Sequence, residues 1–468
     1  MANTREIVLS ILMEYDRGGV RNPSLLKDSL AKYDYLETRD KSFIKRLTEG
    51  VIERQIQLDY VLDLFSRVGT KKMQPFIRSL LRMSVYQILF MDQVPDSAAC
   101  DEAVKLARRH KFESLSGFVN GVLRNIARNK DSIEYPDRDK DGGVTYLSVI
   151  YSMPEWICRM WVSRFGMEKT EDILKFFMEP RPTTVRLSGG TDVSGFEKRL
   201  KDIGVDVRKS DLLPYALDLL RTDNIAFLPG FDEGEFFVQD VSSMLVTEIA
   251  DPKPGDIVTD VCAAPGGKSL HAAERIKRED GDDLSGYIIS RDVSERKCDL
   301  IRENADRMHI SNIKIQKSDA GVHDQSLEGK ADILYLDLPC SGLGIIGRKS
   351  DIKYNISPKS LKELSGLQWK IIRASWDYVK PGGILMYSTC TVNRAENEDM
   401  IAHICEELPF EPVDFLEKLP ERLRNEDGNN ASEDEELSLC LTSKKGYIQL
   451  LPGEFDTDGF FIAKLRRK

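Results

Sequence analysis

The chain has no Cys-x-x-Cys pair, although it carries eight cysteines, at 100, 158, 262, 298, 340, 390, 405 and 440. That spacing excludes the usual structural zinc site and a disulfide framework, and most of these thiols are expected buried in a reducing compartment. No apolar run approaches the ~20 residues that span a bilayer. The opening stretch, MANTREIVLSILMEYDRGG, carries charges inside its apolar pattern, as an amphipathic helix does and a secretory signal does not. A cytoplasmic, soluble protein with no membrane partner and no structural metal is expected. Basic excess is missing too: the net charge is −10, which by itself does not suggest nucleic acid. No internal repeat is visible.

What is present is uneven. Residues 1–140 are slightly basic, with clusters at Lys71-Lys72 and Arg108-Arg109-His110-Lys111, whereas 425–437 is rich in acids and holds no base. A local basic face on an acidic protein is therefore open. At 468 residues the chain is too long for one core. Residues 1–140 show helical periodicity almost without break, as in FIRSLLRMSVYQILFM, and predict an all-α bundle. A turn-rich linker follows. Residues 145–235 begin with helices and change at Pro180-Arg181-Pro182 to short strand-like pieces, TTVRLS and GVDVRKS, a small α+β unit. From 236 to 468 strands and helices alternate: DIVTDVC, GYIISRD, NIKIQKSD, ADILYLDLPC and GILMYSTC, then GYIQLLP and GFFIAKL. That order predicts a doubly wound parallel sheet with a terminal β-hairpin.

The turn after the first of these strands reads Asp260-Val-Cys-Ala-Ala-Pro-Gly-Gly-Lys-Ser-Leu-His271. A Walker loop needs glycine where Cys262 stands, and Gly-x-Gly-x-x-Gly also fails. Ligands of doubly wound sheets bind outside the carboxyl ends of the strands. There Gly266 and Gly267 allow close backbone approach, and the next helix N-terminus favours an anionic group. The following two strands end in Asp292 and Asp319, and a fourth ends in Asp337. Acids at successive strand ends repel a triphosphate. They suit S-adenosylmethionine: Asp292 for the ribose hydroxyls, Asp319 for the adenine amino group, and the acid-lined crevice for the positive sulfonium.

Two cysteines, Cys340 after Asp-x-Pro and Cys390 after Ser-Thr, close neighbouring strands on that same edge. Methylation of a pyrimidine at carbon 5 needs such a set. A thiolate adding to carbon 6 makes carbon 5 enolate-like, a carboxyl such as Asp337 at ring N3 steadies the charge, and a second thiol serves in proton removal and release. The nucleophile needs nearby positive charge, for which Lys268 and the helix N-termini are candidates.

Asp260-Val-Cys-Ala-Ala-Pro-Gly-Gly-Lys268, Asp337-Leu-Pro-Cys-Ser-Gly-Leu-Gly344, Ser388-Thr-Cys-Thr391 and Asp458-Gly-Phe-Phe-Ile-Ala-Lys-Leu465 together resemble the RNA cytosine-C5 methyltransferases of the Sun/RsmB type. Upstream, Phe118-Val-Asn-Gly-Val-Leu-Arg124 is similar to the NusB-like RNA-binding domain of the bacterial 16S ribosomal RNA members. The resemblance implies a Rossmann-like methyltransferase domain, S-adenosylmethionine as cofactor and an unpaired or flipped cytosine of 16S ribosomal RNA as target. By position it makes Cys262, Ala263, Ala264, Pro265, Gly266, Gly267 and Lys268 the cofactor loop. It puts Asp292, Asp319, Asp337 and, near the cofactor, Arg296 in the pocket. It makes Cys390 the nucleophile, with Cys340 assisting release. Leu338 departs from the family's usual alanine, and the acidic insert at 425–437 is unlike the family core and is expected to be a disordered surface loop. Two rivals stand beside this reading: a DNA cytosine-5 methyltransferase, which would attack through the Pro-Cys thiol, and an RNA-binding assembly factor with a decayed methyltransferase domain.

Overall fold

The computed structural model describes residues 3–17, 29, 32–33, 35–220, 222, 224–276, 286–424 and 438–468, and the acidic insert at 425–437 lies outside them. The chain divides into two compact units, one of residues 1–179 with 346–355 and the other of residues 180–345 with 356–468.

The first unit has helices and no strand among its described residues. Its centre is the helix Pro75–Phe90, whose Leu80, Leu81, Val85 and Ile88 are all buried. A helix apolar nearly all round must sit inside a bundle, and Thr4–Arg17, Thr38–Glu53, Gln55–Phe65, Asp96–Arg109 and Ser116–Asn129 supply the surrounding core. Arg82 is buried in this helix and is satisfied by a two-pronged contact with Asp59, at 2.7 and 2.6 Å. The helices Gly143–Ile150 and Glu155–Met178 complete the unit. These helices open the stretch set apart above as 145–235, while its strands lie in the other unit; the division falls beside Pro180, where Pro180-Arg-Pro182 ends helical structure.

The second unit contains two sheets. The smaller is antiparallel and joins β1 (Thr183–Leu187), β2 (Asp206–Lys209), β3 (Ala216–Leu220) and β4 (Phe236–Val238) in the order β2-β3-β1-β4. The helix Val193–Asp202 covers it with Phe196 and Leu200. β3 has no counterpart among the expected strands. β4 opens the stretch assigned above to the C-terminal domain, yet it pairs with β1.

The larger sheet carries β5 (Ile257–Asp260), β6 (Tyr287–Asp292), β7 (Ile313–Lys317), β8 (Ala331–Asp337), β9 (Val379–Thr389), β10 (Phe410–Pro412), β11 (Tyr447–Leu450) and β12 (Phe460–Arg467). Its order is β10-β12-β9-β8-β5-β6-β7, with β11 also on β12. β9, β8, β5, β6 and β7 are parallel, and the expected terminal hairpin is present as antiparallel β11 and β12. β8 is mostly buried because helices cover both faces of a parallel sheet. The chain runs outward from β5 to β7 and then returns to β8 on the other side of β5. The switch point therefore lies at the carboxyl ends of β5 and β8, where doubly wound sheets bind ligands. No helix among the described residues is long and apolar enough to cross a membrane.

Between the Pro-Cys motif and the next helix, the segment Ile346–Asn355 belongs to the helical unit. There Lys353 is 2 % exposed and donates to the Glu53 carbonyl at 2.7 Å. Burial lowers its ammonium from 10.5 to about 7, opposed by the Glu53 carboxyl. The unfolded chain thus binds the proton more tightly, and stability falls as pH drops through the window from 10.5 to about 7. Lys353→Met is expected to flatten that part of the pH dependence of urea unfolding; an unchanged slope between pH ~7 and ~10 would contradict the assignment.

Candidate active site

The site is built where β5, β6, β8 and β9 end. After β5 the backbone folds into a tight loop. Ala263 N–H donates to the Arg291 carbonyl at 2.9 Å and Ala264 N–H to Asp292 Oδ2 at 3.1 Å, which ties the loop to the end of β6. The Pro265 carbonyl accepts from Asn304 at 3.0 Å. Gly266 has φ +106°, a conformation costly for any other residue. Gly267 begins the helix Gly267–Ile276.

Beneath the loop Asp260 is 1 % exposed and accepts from Ser269 Oγ at 2.7 Å and from Cys262 N–H at 3.4 Å. Burial pushes its carboxyl up to about 7 against the pull of the Ser269 hydrogen bond. Burial, and after it the charge of Asp260, also pushes the Cys262 thiol above its ordinary range, so this cysteine is a packed part of the loop.

Lys268 reaches across to β8. Its Nζ lies 2.7 Å from Asp337 Oδ2 and 5.2 Å from the centre of the Phe460 ring, so the Asp-Gly-Phe-Phe motif of β12 meets the loop here. The other Asp337 oxygen accepts from Ser388 Oγ at 2.8 Å. Positive charge is thus committed to the carboxylate. Leu338, the departure noted above, is buried in an apolar cluster and leaves the Asp337 contacts intact.

Asp292 is buried, and its Oδ1 accepts from Val293 N–H at 2.7 Å and pairs with Lys297 at 3.0 Å. Lys297 was not among the expected residues; Arg296 beside it is exposed. The two-residue turn before the helix Glu295–Arg307 places the fifth residue, not the fourth, over the carboxylate. Asp319 is exposed just beyond β7 and accepts from Gly321 N–H at 2.8 Å.

The two thiols meet. Parallel pairing of β8 and β9 sets Asp337 opposite Ser388, and Cys340 Sγ lies 3.3 Å from Cys390 Sγ. Both are half-buried. Contact with Cys390 comes first, and burial second, in holding the Cys340 thiol well above its ordinary range.

The family of the 16S rRNA methyltransferase RsmB/F matches residues 247–466, and the NusB family matches residues 2–128. A probable ribosomal RNA small subunit methyltransferase B of Bacillus subtilis is 36% identical over all of this chain and 99% of its own length. Its counterpart in Synechocystis is 30% identical, with both chains covered completely.

The chain belongs to the RsmB/F family of 16S rRNA methyltransferases.

A methyltransferase homolog protein from Pyrococcus horikoshii, with a solved structure, is 26% identical at a TM-score of 0.54, over 69% of this chain and 98% of that one. Membership of the RsmB/F family makes the protein an S-adenosylmethionine-dependent RNA methyltransferase. Its N-terminal region is NusB-like and its C-terminal domain has the Rossmann-like methyltransferase fold.

Gly344, which closes the Pro-Cys motif, donates its N–H to the Cys390 carbonyl at 3.0 Å. A Cβ there would lie 2.0 Å from the Gly459 carbonyl oxygen, a backbone atom. Gly344→Ala is expected to cost about 1–3 kcal/mol in denaturant unfolding, because the backbone of two motifs must part; wild-type stability would contradict this packing.

Proposed function

We propose that this RsmB/F-family enzyme transfers a methyl group from S-adenosylmethionine to carbon 5 of a cytosine in 16S ribosomal RNA through a covalent bond between Cys390 and carbon 6. The observation that carries the reading is the 3.3 Å approach of the two thiols beside Asp337. A packed structural thiol needs no partner thiol at a ligand-binding strand edge.

The donor set fits the cofactor. Acidic acceptors stand at the ends of β6 and β7, Asp292 for ribose hydroxyls and Asp319 for an amino group. The one basic residue of the 262–268 loop, Lys268, is bound to Asp337, so the loop offers little to a triphosphate. Cys262 to Lys268 form the rest of the cradle. S-adenosylmethionine, when bound, supplies an electrophilic methyl group.

The chain's residues do the remaining work. The Cys390 thiolate adds to carbon 6, and the ring's electron pair moves toward carbon 5. Asp337, fixed by Lys268 and Ser388, faces ring N3 and steadies the charge. Once carbon 5 carries its new methyl group, its proton passes to a solvent base, and Cys340 assists release of the product. The carbon–sulfur bond breaks and Cys390 is regenerated. The carbon-5 edge is reachable only in an unpaired or extruded base. The NusB-like region and residues 145–235 each bind RNA beside the target, in the cytoplasm where ribosomal RNA is made.

Cys390→Ala should abolish covalent trapping on RNA carrying 5-fluorocytosine, while Cys340→Ala should still trap, or accumulate adduct even on ordinary RNA. The reverse pattern would move the nucleophile to Cys340 and favour the DNA-enzyme logic. Bisulfite sequencing of 16S ribosomal RNA from a strain lacking the protein should show one 5-methylcytosine missing, and an unchanged pattern would remove the assigned substrate.

A further inference from the structure

Strand register alone does not set the spacing of the two sulfurs. Cys340 lies three residues beyond the end of β8 and Cys390 one residue beyond the end of β9. Each sits in irregular backbone, and something must hold both loops at one separation. Glu396 and Asn397, adjacent in sequence and each 0 % exposed, are bonded to Ser341 after Cys340 and to Thr389 and Thr391 on either side of Cys390, and Gln368 links Glu396 to Pro339 before Cys340.

Glu396 holds the Cys340 loop. One carboxylate oxygen accepts from Ser341 Oγ at 2.5 Å and Asn393 Nδ2 at 2.8 Å. The other accepts from Ser341 N–H at 2.8 Å and Gln368 Nε2 at 3.1 Å. That same Gln368 amide donates to the Pro339 carbonyl at 2.9 Å, so both neighbours of Cys340 are fixed. Asn397 holds the Cys390 loop: its Oδ1 accepts from Thr389 Oγ1 at 2.6 Å, and its Nδ2 donates to the Thr391 carbonyl at 3.0 Å. Ser341 Oγ and Thr391 Oγ1, 2.7 Å apart, join the two halves.

The chemistry of the side chains is specific. Four donors converge on Glu396, and only a carboxylate offers acceptors alone. Glutamine, of the same shape, would turn an NH₂ group toward two donors. Asn397 needs one donor and one acceptor on a single head, which aspartate lacks. Neither residue has a bond to a sulfur among the hydrogen bonds described here. We infer that Glu396 and Asn397 are positioning residues that set the Cys340–Cys390 separation on which the nucleophile and the thiol that assists release depend. The catalytic half of this inference rests on the proposed cytosine-5 reaction; the geometric half does not.

The test uses the full-length protein and reads the separation directly. Diamide oxidises two thiols to one disulfide and is itself reduced to the hydrazine. The rate of Cys340–Cys390 disulfide formation, followed by peptide mass, therefore reports how often the sulfurs meet. Glu396→Gln and Asn397→Asp are expected to slow it by about tenfold or more, and to lower the rate of adduct formation on 5-fluorocytosine RNA by a similar factor. Cofactor affinity by calorimetry should stay within about twofold of wild type, and the RNA KM should hold, since a lost interaction of the reacting geometry lowers kcat alone. Glu396→Asp, which keeps an all-acceptor head, should recover part of the rate. Should Glu396→Gln fail to fold, Ser341→Ala removes one hydroxyl of the same network and is read in the same way. A wild-type disulfide rate in the folded variants, or loss of cofactor affinity in step with it, would overturn the inference. Because that assay contains no RNA, its failure is separable from a failure of the cytosine-5 reading, which shows instead as trapping that survives Cys390→Ala.

Discussion

The parallel pairing of β8 with β9, in the register that sets Asp337 opposite Ser388, is the constraint on which the site depends. Side chains alternate along a strand, so a slip of one residue would send Asp337 and Ser388 to opposite faces. The carboxylate would lose its hydroxyl partner and the two cysteine loops would start from different levels. The register is held by burial: Leu334, Leu336, Leu385 and Tyr387 fill one apolar cluster, and Ile333, Tyr335 and Met386 fill another on the opposite face. The core thus fixes the chemistry at its edge, and β12, antiparallel on the outer side of β9, brings Phe460 to Lys268.

Charge is distributed economically around this edge. Lys268 meets Asp337, Lys297 meets Asp292, and Asp260 is left to burial and a serine hydroxyl. Burial pushes the Asp260 carboxyl up toward neutrality. Lys268, which the sequence alone offers as a cation for the thiol, is found on the carboxylate of Asp337 at the end of β8.

Much of this was legible before any coordinates. The strands of the larger sheet are apolar runs bounded by acids and turns, and β5 to β9 fall where that pattern puts them. The meeting of Cys340 with Cys390 follows from two strand ends on one edge of one sheet. Other features left no such trace. β4 and β10 are three residues long and carry no periodicity, so only their partners define them. Glu396 lies in Arg394-Ala-Glu-Asn-Glu-Asp399, a charged stretch that reads as solvated helix start, yet it is fully buried because four donors meet it. Lys353 belongs to the other unit although the sequence around it continues the sheet domain; a ten-residue excursion between a motif and a helix has no signature of its own. Lys297, one residue past Arg296, pairs with Asp292 because of the two-residue turn before the helix Glu295–Arg307, a detail that no spacing rule shows.

The central claim is that one sulfur of the pair, that of Cys390, bonds to carbon 6 of a cytosine. Peptide mapping by mass spectrometry of the wild-type protein trapped on 5-fluorocytosine RNA measures this without any substitution. The account predicts a single nucleotide adduct on the peptide that carries Cys390, with Cys340 unmodified. An adduct on Cys340, or none on either cysteine from an enzyme that still methylates ordinary RNA, would contradict it.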